Sequence, residues 1–171
     1  MRYLKVVAQD RAGTGRADCV LLRFYEQEDN SDEELQLNSA YALDIDADGR
    51  VDAAIGDANN DGTKDAADRQ LLQAFANTYL QFNWFNPGTD WTRHLKVYSE
   101  DYHHDGTINC INFQLYESGK IIAWHAIFDV NNDGKIRRRT RGDINRDRQI
   151  DKVDQTLLFN LGRTYLQFNW T

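Results

Sequence analysis

Two twelve-residue stretches hold the residues whose types and spacing point most directly to chemistry. In the first, Asp57, Asn59, Asp61 and Asp68 stand at positions 1, 3, 5 and 12, with Gly62 at position 6. In the second, Asp143, Asn145, Asp147 and Asp154 take the same positions, with Arg148 at position 6. Short oxygen-bearing side chains at alternate positions turn inward as the backbone curls. That arrangement suits calcium, a hard ion that takes six to eight oxygens at about 2.3–2.6 Å. Position 7, Thr63 or Gln149, is expected to give a main-chain carbonyl, and the acid at position 12 to close the shell. Asp65 and Asp151 at position 9 bind directly or hold a water. Magnesium prefers strict octahedral geometry and keeps its waters. Zinc asks for His or Cys, and neither loop contains them.

A second pair of loops lies just upstream. Asp44, Asp46, Asp48 and Asp52, with Gly49, spell D-x-D-x-D-G-x-x-D, a pattern able to hold calcium at a hairpin without a following helix. Its counterpart, Asp129, Asn131 and Asp133 with Gly134, carries Arg137 where the closing acid belongs. The expected cofactor is therefore calcium, two to four ions; two would bring the net charge of −7 to −3, and four to +1.

The Asp57 and Asp143 loops, each leading into a helical pattern, resemble the calcium-binding repeats of type I dockerins. The Asp44 loop is similar to the hairpin calcium loops of integrin-like propeller repeats. The dockerin resemblance implies calcium binding and, through the helices, recognition of a partner domain. Ala66, Ala67, Lys152 and Val153 at loop positions 10 and 11 are its contact candidates.

The elements that must position these loops come in two copies. Tyr79-Leu-Gln-Phe-Asn-Trp84 returns as Tyr165-Leu-Gln-Phe-Asn-Trp170, 86 residues later. Leu4-Lys5-Val6 matches Leu95-Lys96-Val97, and the block beginning at Cys19 matches that at Cys110, both at an offset of 91. The difference falls in the acidic stretch from Glu26 to Glu34, which reads as a longer loop. Alternating apolar patterns predict strands at 2–9, 18–26 and 36–43, then at 94–100, 108–117 and 120–128. Gly13-Thr14-Gly15 and Asp105-Gly106 supply turns between the first two strands of each copy. Apolar residues spaced by three and four, Leu71, Leu72, Phe75, Ala76 and Tyr79, then Leu157, Leu158, Leu161 and Tyr165, predict one helix per copy. The expected fold is α+β: two tandem units, 1–86 and 87–171, each with a small antiparallel sheet, calcium loops and one packed helix. Asn86-Pro87-Gly88 joins them. Cys19 and Cys110 hold equivalent places and either bridge across a pseudo-twofold axis or stand as buried strand residues.

Composition narrows the function. With 20 Lys and Arg against 27 Asp and Glu, the chain lacks the clustered basic charge that nucleic acid requires. No apolar run is long enough to insert in a bilayer. The four histidines match no catalytic motif, and His103-His104-Asp105 reads as a polar hairpin tip or a weak transition-metal site. The expectation is a non-enzymatic structural protein, extracellular or at the cell surface, with calcium stiffening each copy. Its expected partner is itself, head to tail in a fibre or layer, or another surface protein through a dockerin-like contact.

Overall fold

The computed structural model describes residues 1–28, 33–85 and 92–171. Residues 29–32 of the acidic stretch, and the joint at Asn86-Pro87-Gly88 where the two copies were divided, lie outside the described residues.

Six long strands form where period-two alternation predicts them: β1 (Arg2–Gln9), β2 (Cys19–Gln27), β3 (Glu34–Leu43), β5 (Arg93–Glu100), β6 (Cys110–Glu117) and β7 (Lys120–Phe128). Two short strands, β4 (Ala53–Ile55) and β8 (Arg138–Arg139), are too brief to show a pattern in the sequence. The helices are α1 (Ala66–Tyr79) and α2 (Lys152–Leu166). Each opens on a capping box, Asp65 with Asp68 and Asp151 with Asp154, which satisfies amide groups that the first helical turn would otherwise leave bare.

The expectation of a separate small sheet in each copy is overturned. All eight strands belong to one antiparallel sheet, in the order β4-β3-β2-β1-β5-β6-β7-β8. The copies join where β1 pairs with β5, and the register is Leu4 with Val97, Lys5 with Lys96, Val6 with Leu95. Those are the residues that match each other as repeats. The contact is thus a pseudo-twofold one, each copy offering the same three residues to the other. The physical reason is plain: a three-stranded unit would leave the inner edge of β1 or β5 unpaired beside fully buried apolar side chains. Pairing them removes both edges.

Leu4, Val6, Leu22, Phe24, Leu95, Val97, Phe113 and Leu115 lie on the sheet face that α1 and α2 cover, within one continuous core. The repeated aromatic tails cross between copies. Phe168 and Trp170 of the second copy meet Phe24 of the first edge-on, at 5.9 and 5.5 Å between centroids. The Trp170 indole N–H donates to the Tyr3 carbonyl at 3.2 Å. Alternate residues face the opposite side, where Tyr3 stacks on Tyr25 and His94 on Tyr116. Cys19 and Cys110 are buried free thiols; β1 and β5 run between their strands, so no bridge forms.

Candidate functional site

The predicted loops close in one shared way. In each, the aspartate at position 1 accepts the backbone N–H of positions 5 and 6 through its two oxygens. Asp44 takes those of Asp48 and Gly49 at 3.1 and 2.7 Å. Asp57 takes Asp61 and Gly62 at 3.2 and 2.8 Å. Asp129 takes Asp133 and Gly134, and Asp143 takes Asp147 and Arg148. The curl demands left-handed backbone at positions 4 and 6: Ala47, Asn60, Asn132 and Arg146, then Gly49, Gly62, Gly134 and Arg148. Glycine enters that region freely, so its recurrence at position 6 has a mechanical cause.

Two further loops with this closure lie among the turns. Asp10 accepts from Thr14 and Gly15 at 2.9 and 2.6 Å, and Asp101 from Asp105 and Gly106 at 3.2 and 2.6 Å. Gly13, Gly15, His104 and Gly106 supply the left-handed residues. The signal was present in the sequence as an Asp, four residues, then Gly, with Asp18 or Asn109 three residues further on. Those closing residues accept backbone N–H groups near the loop's start: Asp18 from Arg11 and Ala12, Asn109 from Tyr102. Asp52 does the same for Ile45 at 2.7 Å. The Asp10 loop has Ala12 and Thr14 at positions 3 and 5, so it keeps the shape without the carboxylates. His103 meets the Val130 carbonyl at 3.1 Å, and Asn132 donates to Asp105 at 2.7 Å, which holds the Asp101 and Asp129 loops side by side.

Position 12 serves the fold as well as any ion. Asp68 and Asp154 are fully buried. Asp68 Oδ1 accepts from Ala58 and Asn59 at 2.8 and 3.2 Å, and Oδ2 from Asp65 at 2.7 Å. Asp154 repeats this with Ile144, Asn145 and Asp151. A carboxylate has roughly four lone-pair sites, so three backbone donors leave it about one for an ion. These acids pin loop to helix.

The predicted loops differ in the side chain they hold at position 3, Asp46 in one and Asn59, Asn131 or Asn145 in the others. Asp44, Asp46 and Asp48 form a group that could hold a metal ion, each giving an oxygen within 4.8 Å of the others. Asp44 is buried while Asp46 and Asp48 are exposed, so an ion would have open access. In the Asp57 and Asp143 loops the amide at position 3 lies across the opening: Asn59 donates to Asp61 at 2.9 Å and Asn145 to Asp147 at 3.0 Å. A cation entering there would displace that bond. The hydroxyl and amide of Thr63, with the Asn59 amide, hold the Asp61 carboxyl below its usual range. Gln149 donates its backbone N–H to Asp147 at 2.8 Å. Arg137 lies against Asp133 and pulls that carboxyl down as well.

Each helix-linked loop is held on two sides. Asn38 of β3 donates to the Asp57 carbonyl at 2.6 Å and to the Asn60 side chain at 3.0 Å. Asn60 and Asn169 then link this loop to the second copy's tail, Asn60 donating to the Phe168 carbonyl and Asn169 to the Asn59 carbonyl. In the mirrored place Arg146 lies over the Trp84 ring of the first copy, 5.6 Å from its centroid. Beneath the Asp143 loop, His125 packs where Gly142 lacks a side chain, and burial pushes its imidazole down despite nearby Asp154 and Asp143.

No protein family, no curated protein and no solved structure matches this chain. Among the described residues, no helix is long and apolar enough to cross a membrane.

Proposed function

We propose that the protein is a non-enzymatic, calcium-stiffened structural module that works outside the cell and assembles head to tail. The carrying observation is the Asp44 loop, whose three carboxylates converge inside a backbone curl built for oxygen ligands. Calcium fits that donor set, hard oxygens on an open loop, better than zinc or a redox metal. Asp57, Asn59, Asp61 and Thr63, with Asp143, Asn145, Asp147 and Gln149, are the next candidates. Unpaired carboxylates this close repel one another, so an ion bound there stabilises the folded chain.

Head-to-tail growth draws support from the ends of the sheet. The β1–β5 contact is used up inside the chain, so edge-to-edge pairing with a further copy falls to the outer strands. β4 covers only Tyr41, Ala42 and Leu43 of β3, and β8 only Ile127 and Phe128 of β7. Among the described residues, Glu34–Ser39 and Lys120–His125 therefore have no strand on their outer side. The two ends differ in charge. Residues 1–86 hold 8 Lys and Arg against 16 Asp and Glu, and residues 87–171 hold 12 against 11. Glu28, Glu33 and Glu34 flank the first end; Lys120, Arg138, Arg139 and Arg141 flank the second. Unlike charges favour that pairing over either like pairing.

Electron microscopy and sedimentation of the purified protein, in about 2 mM calcium and after EGTA, test this. Filaments or large particles that vanish on chelation support it. A folded monomer at every calcium level sinks the assembly. A dockerin-like adaptor is then the second reading, favoured by Ile150 and Val153 standing exposed beside the Asp143 loop.

A further inference from the structure

The Asp129 loop carries the ligand pattern of a calcium loop but has Arg137 at position 9, where the Asp44 loop has Asp52. The position of its guanidinium is the observation that matters. Arg137 Nη1 donates to Asn131 Oδ1 at 3.1 Å, to Asp133 Oδ1 at 2.6 Å and toward the Lys135 carbonyl at 3.5 Å. These are positions 3, 5 and 7 of the loop: two side-chain oxygens and one main-chain oxygen, the set that a calcium ion collects in such a loop.

We infer that Arg137 is the resident cation of the Asp129 loop, its guanidinium standing where an ion stands in the sister loops, so that this loop closes without metal. The inference rests on the calcium reading of those sister loops. A nitrogen tethered by its own chain is present at high effective concentration, and a dication arriving there meets a positive charge already in place. The Asp44 loop has the opposite balance, three converging carboxylates and a fourth acid at position 9. The chain therefore holds one metal-dependent and one metal-independent corner at equivalent places, next to β4 and β8. Withdrawing calcium loosens the first and leaves the second intact.

The test uses the full chain, wild type beside Arg137→Asp and Arg137→Ala, with circular dichroism to check folding. Calcium bound per chain is counted by equilibrium dialysis, and amide exchange over 129–139 and 44–53 is followed in calcium and in EGTA. The expected results are one more ion bound by Arg137→Asp than by wild type, and wild-type exchange over 129–139 that EGTA does not change. Exchange over 44–53 rises at least about tenfold on chelation, since an ion present at 10 times its Kd contributes roughly that factor. Equal ion counts in folded wild type and Arg137→Asp overturn the inference, as does faster wild-type exchange over 129–139 in EGTA. If wild type binds no calcium anywhere, the calcium reading fails by itself. Arg137→Ala in metal-free buffer then decides: faster exchange confined to 129–139 upholds the guanidinium's role, and unchanged exchange refutes it.

Discussion

Replacing Arg148 by glycine is expected to stabilise the protein. Arg148 stands at position 6 of the Asp143 loop with φ +74°, whereas glycines fill that place in the other loops, including Gly62 at φ +88°. Its backbone N–H still donates to Asp143 Oδ2 at 2.8 Å, the same length that Gly62 makes to Asp57. The hydrogen bond is thus retained and the conformational strain is the cost. An L-residue in left-handed backbone costs roughly 1–2 kcal/mol. Glycine returns about 0.5–1 kcal/mol of that through the freedom it loses on folding. The difference is about 0.7 kcal/mol in favour of Arg148→Gly, or about 2 °C in Tm for a chain of this length. The Arg148 side chain is exposed, and no hydrogen bond or ion pair of it occurs among the described residues, so little offsets the gain. Urea unfolding at fixed calcium should show a higher midpoint with an unchanged m-value. The reciprocal Gly62→Arg should lower it by a similar amount. A neutral or destabilising Arg148→Gly, or a harmless Gly62→Arg, would refute the reasoning.

Three other changes probe different parts of the molecule. Asp46→Asn should lower calcium affinity at the Asp44 loop at least tenfold in a calorimetric titration while leaving the EGTA-treated protein's Tm within a degree or two, because it removes one ligand from an exposed position. Phe168→Ala should cost about 3–5 kcal/mol in denaturant unfolding, since the ring is fully buried and meets both Phe24 and Phe75. His94 is held to about 4 by burial and by Lys5 and Lys96. Its neutral form therefore contributes stability above pH 6.5 that is lost as pH falls toward 4, the unfolded chain binding the extra proton. His94→Gln should flatten the stability curve over that window, and an NMR titration placing the His94 imidazole near 6.5 would contradict the assignment.

Much of the fold was legible because strand alternation and helical spacing are local. The six long strands lie within a few residues of their predicted bounds, and each helix contains the apolar positions that predicted it. The joining of two sheets into one was not, because it depends on which edges meet. Yet a trace existed: Leu4-Lys5-Val6 and Leu95-Lys96-Val97, a repeat in the sequence, are the partners of the central ladder. The loop aspartates were legible through their spacing, with two exceptions. The Asp10 and Asp101 loops show in the sequence only as turns, since Ala12, Thr14 and His103 break the acidic pattern while leaving the backbone curl intact. The position-12 acids hold a second role that spacing does not show. A carboxylate three residues into a helix also completes a capping box, and that bond depends on where the helix begins.

The crossing of the tails bears on how the chain must be made. Trp170 hydrogen-bonds to Tyr3 across 167 positions of sequence, and Phe24 is roofed by two rings from the final turn. During synthesis the first strands emerge long before the side chains that seal them. Until β5 emerges the inner edge of β1 stays open, and until the tail follows part of the apolar face around Phe24 stays bare. Such long-range closure slows folding and extends the time in which strangers can pair with that edge. A ribosome-bound chain of this protein is therefore expected to lean on chaperones until residues 168–170 have emerged.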